Sequence, residues 1–291
     1  MSQIVPFRSA LYVPATNSRA MSKIGTLAAD FVIVDLEDAV AASDKEHARN
    51  VLAEAFETGL FAQKRVVIRI NDPASADGAA DLAQCAALAP HAVLLPKVET
   101  GDMLTRAGAV LAEAGAPTDV KLWAMVETPR GILNLPAIAG AGGRLECLVA
   151  GVNDLGTLLR LPPAARREGQ TAALSMLVLA ARAYGLQVLD GVFNDLKNEA
   201  GFIAECEAGR ALGFDGKTLV HPSQIAGANT VFAPDAASVE TARAIVAAFA
   251  AASDDAAVVT VNGVMAERLH LAEARRLIAL AEVVAGAANA P

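Results

Sequence analysis

The sequence predicts an α/β fold, a (β/α)8 barrel of the TIM type with a C-terminal helical extension, and three observations indicate it. Short apolar runs recur along the chain and alternate with segments of helical length. Polar residues do not alternate with the apolar ones in the eight runs, which is typical of parallel strands covered by helices. The runs and the helical segments between them occupy roughly 220 residues, the size of such a barrel. No glycine-rich phosphate fingerprint follows the first run, which disfavours a doubly wound sheet.

The strands and helices are predicted from segment length and residue type. Short apolar runs are typical of buried strands, and the Ala-, Leu- and Glu-rich segments between them have helical spacing. The predicted strands cover residues 9–14, 31–35, 65–70, 92–96, 121–126, 147–150, 186–189 and 217–220. The clearest predicted helices cover residues 44–58, 76–88, 101–115 and 164–184.

The chain changes character after Ser223. An Ala-rich helical pattern over residues 236–252 leads to the β-like stretch AVVTVNGV and to a final helix from about His270. Because this tail adds no ninth barrel unit, we predict a catalytic barrel of residues 1–233 and a helical extension of residues 234–291. We expect the extension to pack on the barrel, on a neighbouring subunit or over the active site.

Composition excludes several classes of protein. A net charge of −8 and a pI of about 5.1 argue against a general nucleic-acid binder, which shows a basic face. The sequence has neither the apolar core of a signal peptide nor an apolar run of membrane-spanning length. Cys85, Cys147 and Cys206 lack zinc-site spacing, so we expect buried, reduced thiols in a cytoplasmic protein without membrane partners.

Polar residues collect where the predicted strands end. The active site of a parallel barrel lies at the carboxyl ends of its strands. These positions hold Thr16, Asn17, Asp35, Glu37, Asp38, Arg69, Asn71, Lys97, Glu99, Glu127, Arg130, Asn153, Asp154, Asp190, Asn194 and His221. The acids on one rim suggest a divalent cation, and the basic residues suggest a carboxylate or an oxyanion close to it.

Glu127 and Asp154 are the best metal candidates. They follow neighbouring strands, whose axes lie about 5 Å apart. Two carboxylates suit Mg²⁺, which keeps open positions for water and substrate. The alternative for both residues is a role at a helix N-terminus.

Other rim residues have simpler explanations. The alternative for Asp35 and Asp38 is a polar loop paired with Lys45 or Arg69. His221 is more readily explained as an anchor of the last turn than as a catalytic group.

Seven short stretches, taken in order, resemble one known family. They read RSALYVPA, DLEDAV, RIN, LLPKVE, ETPRGILN, GVNDL and GFDGKTLVHPSQI. Together they resemble the citrate lyase β-subunit-like branch of the HpcH/HpaI aldolase superfamily, which includes malyl-CoA, β-methylmalyl-CoA and citramalyl-CoA lyases and malyl-CoA thioesterases. The resemblance covers essentially the whole chain.

The resemblance implies a Mg²⁺-dependent enzyme, with Mn²⁺ as a substitute, that acts on 3-hydroxy-dicarboxylic acyl-CoA thioesters. It implies that Glu127 and Asp154 bind the metal, in agreement with the choice made from the strand ends. It further implies that Arg69 holds the thioester or oxo-acid oxygen while negative charge develops. Glu37 would contact metal-bound water or that arginine. The products of carbon–carbon cleavage would be an acyl-CoA and a 2-oxo acid.

The expected contacts to the CoA moiety are Arg8, Arg19, Lys23 and Pro222, with Lys45 as a further candidate. The alternative for each of these cations is a solvated surface position. CoA enters here only as part of the substrate.

The tail differs from the motif of the family's C-terminal lid, whose aspartate enters the neighbouring subunit's site. The corresponding stretch reads GVMAERLH, so that the acid is Glu267 and Leu269 stands at the proline position. We expect a homotrimer or homohexamer in which Glu267 reaches the next subunit's site as an acid or base. The alternative is a tail packed on its own barrel, with Glu267 on the surface.

Four functions follow from these features. The leading hypothesis is a carbon–carbon lyase of the malyl-CoA or citramalyl-CoA type. The second is a malyl-CoA thioesterase, in which water attacks the thioester in the same site. The third is a citryl lyase subunit that depends on an acyl-carrier protein. The fourth is a non-catalytic binding protein, and the presence of Arg69, Glu127 and Asp154 argues against it.

Overall fold

The computed structural model of the protein describes residues 4–253 and 255–288. Eight parallel strands are hydrogen-bonded in chain order, and the last pairs with the first, so that they close a barrel. The strands are β1 (Ser9–Pro14), β2 (Phe31–Asp35), β3 (Arg65–Arg69), β4 (Ala92–Leu95), β5 (Lys121–Val126), β6 (Leu145–Ala150), β7 (Gln187–Asp190) and β8 (Gly216–Leu219). The predicted barrel is confirmed.

Helices alternate with the strands, as predicted. Within the described residues they are α1 (Ser18–Met21), α2 (Lys45–Glu57), α3 (Ala76–Leu88), α4 (Gly101–Glu113), α5 (Pro129–Leu133), α6 (Leu135–Ala139), α7 (Val152–Leu158), α8 (Arg166–Ala183), α9 (Glu199–Leu212), α10 (Ile225–Val231), α11 (Ala236–Ala251) and α12 (Arg268–Ala288). None of these helices combines the length and apolar character needed to cross a membrane.

The strand boundaries differ from the predicted ones for local reasons. Strand β4 ends at Leu95, because Pro96 has no N–H group to continue the ladder. Strand β6 begins at Leu145, earlier than predicted, and its pairing with β5 shifts register between Leu122 and Trp123. Glu146 interrupts the apolar run of this strand, and the sequence-based boundary was therefore drawn after it, at Cys147.

Aromatic side chains fill the amino end of the barrel. Phe31 lies 4.7 Å from Phe7 and 5.0 Å from Trp123, measured between ring centroids. The Trp123 side chain is fully buried, and its Nε1 donates to Glu146, which also contacts the ring of His91 at 2.9 Å. This packed end leaves the carboxyl ends of the strands as the face at which a ligand can enter.

The chain divides into two compact units. One spans Phe7–Val231 and contains the barrel, and the other contains the chain from Phe232 onward together with the residues before Phe7. The predicted boundary lay at residues 233/234. Residues 1–3, 254 and 289–291, which the predicted domains include, lie outside the described residues.

The second unit has the helix–β–helix order that the sequence predicted. A hairpin of β9 (Val258–Val261) and β10 (Val264–Glu267) separates α11 from α12. Its turn is Asn262-Gly263, both with positive φ, as a tight two-residue hairpin requires. Phe249, Ala266 and Leu271 form the buried core of this unit. Among the described residues, neither hairpin strand joins the barrel sheet.

Candidate active site

A cavity of about 330 Å³ lies at the carboxyl ends of the strands. Its volume is in the range of sites for small ligands. Six of the predicted rim residues line it. The lining residues are Tyr12, Pro14, Asp35, Asp38, Ala39, Arg69, Met125, Glu127, Ala150, Gly151, Val152, Asn153, Asp154, Val192, Thr218 and Val220.

Arg69 is held by the last residue of the neighbouring strand. Asp35 and Arg69 are register partners at the ends of β2 and β3. Arg69 donates from Nε and Nη2 to the two Asp35 oxygens, over 2.7 and 2.5 Å. Asp35 also accepts the backbone N–H groups of Glu37 and Ala39. The pairing with Arg69 that the sequence offered as an alternative for Asp35 is therefore present, and it fixes the guanidinium plane.

Tyr12 packs against the guanidinium of Arg69, and sequence reasoning missed this residue. The Arg69 Cζ lies 5.0 Å from the centroid of the Tyr12 ring, within cation–π range. Burial raises the pKa of the Tyr12 hydroxyl, so Tyr12 stays neutral. The only signal in the sequence was a polar aromatic residue inside the apolar first strand.

Glu37 bridges the two basic residues of the rim. Its Oε2 lies 3.1 Å from Arg69 Nη1, and its Oε1 accepts from Lys97 Nζ over 2.7 Å. Burial raises the pKa of Glu37, although Arg69 and Lys97 act in the opposite direction. The structure thus places Glu37 against the arginine, one of the two positions that the sequence predicted for it.

Glu127 is buried between two backbone segments. Its Oε1 accepts the backbone N–H of Lys97 over 2.8 Å. On its other side, a Cβ at Gly151 would come within 2.6 Å of Oε2, so the close approach requires glycine. Burial raises the pKa of Glu127 to about 7, and the charges of Asp154 and Glu37 add to the effect, whereas the Lys97 N–H opposes it.

Asp154 lies in the first turn of α7 and lines the same cavity as Glu127. Neither acid caps a helix. Thr128 caps α5 through its side chain, and Gly151 occupies the position before α7. Helix α7 is further held by Gln170, whose Nε2 donates to the carbonyl of Val152 over 3.0 Å.

The two acids fit a hard divalent cation. Among the described residues, no group of three or more His, Cys, Asp or Glu side chains is arranged to hold a metal ion. Mg²⁺ does not need such a group, because it is commonly bound by one or two carboxylates and retains several waters. Burial raises the pKa of Glu127 and the charge of Asp154 adds to the effect, so a bound cation would favour the ionised form of Glu127.

A hydrogen-bonded network holds the loop after β2. Asn71 Nδ2 donates to the Leu36 carbonyl over 2.9 Å and to Asp81 Oδ2 over 2.6 Å. Arg49 Nη1 in turn donates to Asp81 Oδ1 over 3.0 Å. Sequence reasoning missed Arg49 and Asp81, since both lie within helices where a charged residue gives no distinguishing signal.

Two of the expected CoA contacts have other partners. Arg8 precedes β1, at the opposite face of the barrel from the cavity, and pairs with Asp30 over 2.7 Å. Its placement contradicts the expectation that Arg8 meets CoA. Lys45 Nζ donates over 2.7 Å to the carbonyls of both Leu36 and Glu37, and so serves the loop.

The remaining CoA candidates are exposed. Arg19 and Lys23 follow β1, and Pro222 follows β8, which is the neighbour of β1 in the barrel. The structure therefore brings these three residues to adjacent segments at the carboxyl end. Their contact with CoA stays a prediction.

Two rim residues have structural roles. His221 is exposed, and its Nδ1 contacts Ser223 Oγ over 2.8 Å, which agrees with an anchor of the last turn. Asp190 does not line the cavity. It is buried and pairs with Arg167 over 2.8 Å and with the fully buried Lys217 over 3.1 Å.

Glu267 lies in the second unit, at the end of β10. Its backbone N–H donates to His270 Nδ1 over 2.8 Å. Its role as an acid or base in a neighbouring subunit stays a prediction.

Known proteins resemble this chain over most of its length. The family model described as HpcH/HpaI aldolase/citrate lyase matches residues 8–222. The (3S)-malyl-CoA thioesterase of Cereibacter sphaeroides is 44% identical over 284 residues, 97% of each protein. The citrate lyase subunit beta of Escherichia coli is 34% identical over 282 residues, covering 95% of this chain and 93% of the relative.

A solved structure resembles it as well. This is the CitE protein of Mycobacterium tuberculosis, in complex with magnesium, acetoacetate and coenzyme A. It is 30% identical with a TM-score of 0.74, and the match covers 95% of this chain and 98% of that one.

Proposed function

The chain belongs to the HpcH/HpaI aldolase/citrate lyase family, and from this we propose that it is a Mg²⁺-dependent enzyme that hydrolyses a CoA thioester of the malyl-CoA type. The proposal favours the second of the functions predicted from the sequence over the carbon–carbon lyase. The observation that carries it is the 44% identity, over 97% of both proteins, to a (3S)-malyl-CoA thioesterase.

The cavity contains the groups that this reaction needs. When bound, Mg²⁺ would supply Lewis-acid charge and a template for the substrate's hydroxyl and carboxylate oxygens, with Glu127 and Asp154 as its protein ligands. Arg69 uses two of its five N–H groups on Asp35. Nη1 also lies 3.1 Å from Glu37 Oε2. The N–H groups that face neither acid can stabilise the negative charge that develops on the thioester oxygen, as oxyanion-hole donors do.

Glu37 is the candidate general base. Burial raises its pKa, which makes the carboxylate a better proton acceptor, while Arg69 and Lys97 keep the ionised form accessible. In the proposed reaction Glu37 takes a proton from water as the water oxygen bonds to the thioester carbon. The carbon–sulfur bond then breaks, and the proton passes to the departing CoA thiolate.

A carbon–carbon lyase is the second candidate. The same Arg69 could stabilise a thioester enolate, and the 34% identity to a citrate lyase subunit beta favours this reaction. Cleavage would release an acyl-CoA and a 2-oxo acid and leave the thioester bond intact.

One assay separates the two reactions. The purified protein is incubated with (3S)-malyl-CoA and Mg²⁺, and free thiol and 2-oxo acid are measured separately. We expect equal amounts of thiol and malate, with no 2-oxo acid, and we expect chelation of the metal or Glu127→Ala to remove the activity. A 2-oxo acid without free thiol would establish the lyase instead. The absence of both products would contradict a CoA-thioester enzyme.

A further inference from the structure

Lys97 has a backbone conformation that favours glycine. It follows β4 with φ of +49°, in the left-handed region, where a side chain costs conformational free energy. Glycine would adopt this conformation without that cost. The contacts that Lys97 makes therefore have to stabilise this conformation.

Lys97 contacts two carboxylates in two different ways, Glu127, which lines the cavity, and Glu37. Its backbone N–H donates to Glu127 Oε1 over 2.8 Å, and its ammonium donates to Glu37 Oε1 over 2.7 Å. Glu37 lies in turn 3.1 Å from Arg69. A single residue thus connects the acid expected to bind metal with the acid that faces the arginine.

We infer that Lys97 is a positioning residue that holds Glu127 through its backbone and, through its ammonium, limits Glu37 to a single close contact with Arg69 instead of a two-bond pairing. The inference rests on the proposed function for the roles of Glu127, Glu37 and Arg69.

The charge of the ammonium is what the position of Glu37 requires. Among the described residues, Glu37 Oε2 has no hydrogen-bond partner, although it is buried and close to Arg69. Without the ammonium on Oε1, the carboxylate would gain by rotating into a paired geometry with Arg69, which is the strong arrangement for these groups. That pairing would consume N–H groups that the thioester oxygen needs, and it would orient the base away from water.

Two variants remove the ammonium and keep the backbone N–H. Lys97→Gly keeps the N–H and suits the left-handed conformation, whereas Lys97→Met keeps the length of the side chain without its charge. We expect both variants to lower kcat at least tenfold, with a smaller change in KM. Direct Mn²⁺ binding, measured by electron paramagnetic resonance, should stay within threefold of the wild type, because the contact to Glu127 is made by the backbone. Arg106→Met, which removes an exposed cation from α4, is the matched control and should leave both measurements unchanged.

Several outcomes would overturn the inference. Wild-type kcat in both Lys97 variants would show that the ammonium does not position Glu37. Loss of Mn²⁺ binding in both variants, equal to that of Glu127→Gln, would place the side chain in the metal site instead.

Failure of the proposed function would look different. A wild-type protein that cleaves the carbon–carbon bond of the substrate and leaves the thioester intact would refute hydrolysis. The comparison of kcat between the wild type and the Lys97 variants would still test the inference. If the wild type turns over no thioester, a crystal structure of Lys97→Met shows whether the ammonium of Lys97 sets the position of Glu37. Glu37 rotated onto Arg69 supports the inference, and an unmoved Glu37 overturns it.

Discussion

Glu127 is the residue at which burial and charge conflict most directly. The side chain is 4% exposed and shares a cavity with Asp154, so its ionised form is disfavoured unless a cation joins the pair. The resulting pKa of about 7, raised by burial and then by Asp154, gives the metal-free protein a measurable property. A bound cation would lower this pKa, so the pKa of Glu127 reports whether metal is bound.

The sign of the pH effect follows from this raised pKa. A carboxyl group whose pKa is higher in the folded state stabilises the fold below its unfolded pKa, near 4.5, and the stabilisation is lost as the pH rises through about 7. Between these two pH limits the free energy of unfolding changes by an amount on the order of 3 kcal/mol.

We expect urea unfolding of the metal-free protein to show lower stability at pH 8 than at pH 5. Glu127→Gln should flatten this dependence, and Mg²⁺ should restore the stability at pH 8. An unchanged pH dependence in Glu127→Gln would contradict the assignment.

Arg69 acts through geometry as well as through charge. Its planar fork is fixed by Asp35, and lysine cannot reproduce the remaining directed N–H groups. We expect Arg69→Lys to lower kcat by about 10²–10³-fold, the typical effect of losing one oxyanion donor. Steady-state kinetics with the thioester substrate would measure it. A change confined to KM would mean that Arg69 binds the ground state and the transition state equally.

At the scale of secondary-structure elements, helices α2 and α3 hold the loop that carries Glu37. The link runs from Arg49 through the buried Asp81 to Asn71 and on to the Leu36 carbonyl. Removal of one member leaves buried polar groups without partners, which costs more free energy than an exposed hydrogen bond contributes.

A matched pair of variants tests this link. Asp81→Ala should lower the free energy of unfolding by about 2–4 kcal/mol, because it removes the buried acceptor of the Asn71 backbone N–H and one of the two carboxylates that bind Arg49. It should also reduce kcat by loosening the Glu37 loop. Asp77→Ala removes the other, half-exposed carboxylate that binds Arg49, and it should cost less than about 1 kcal/mol. Urea unfolding monitored by circular dichroism compares them. Equal losses of stability in the two variants would show that the buried link has no special role.

The elements were predictable where their pattern is local. Fully buried strands such as Phe31–Asp35 show their nature in an unbroken apolar run, and the barrel follows from their number and spacing. The site was predictable in so far as it lies at strand ends, as Arg69 and Glu127 do. The CoA contact expected for Arg8 was drawn from its charge, whereas its place directly before the first strand already indicated the amino end of the barrel. The left-handed backbone of Lys97 has no sequence signature, since it is imposed by the surrounding structure.

At the scale of the whole molecule, the second compact unit carries a group of exposed apolar side chains close together in the sequence. The barrel encloses large side chains such as Trp123 and Phe31 with no exposed surface. The second unit leaves Val264, Met265 and Leu269 more than half exposed around the end of its hairpin. An exposed apolar group of this kind is typical of a surface that meets another chain, and it adjoins Glu267.

The prediction for the whole molecule is that this hairpin docks on a second copy of the chain and delivers Glu267 to that copy's cavity. Truncation after Ser253 should then lower both the number of subunits, measured by light scattering, and the activity, whereas a tail without such a role would leave both unchanged. Complementation gives the sharper result. Glu267→Gln and Glu127→Ala are each expected to be inactive, but in a mixed oligomer an intact barrel can meet an intact hairpin. Refolding the two variants together should therefore restore part of the activity, and refolding Glu127→Ala with Asp154→Ala should not, because both of those changes affect the same barrel site. No recovery in the first mixture, despite confirmed mixed oligomers, would mean that Glu267 does not act across subunits.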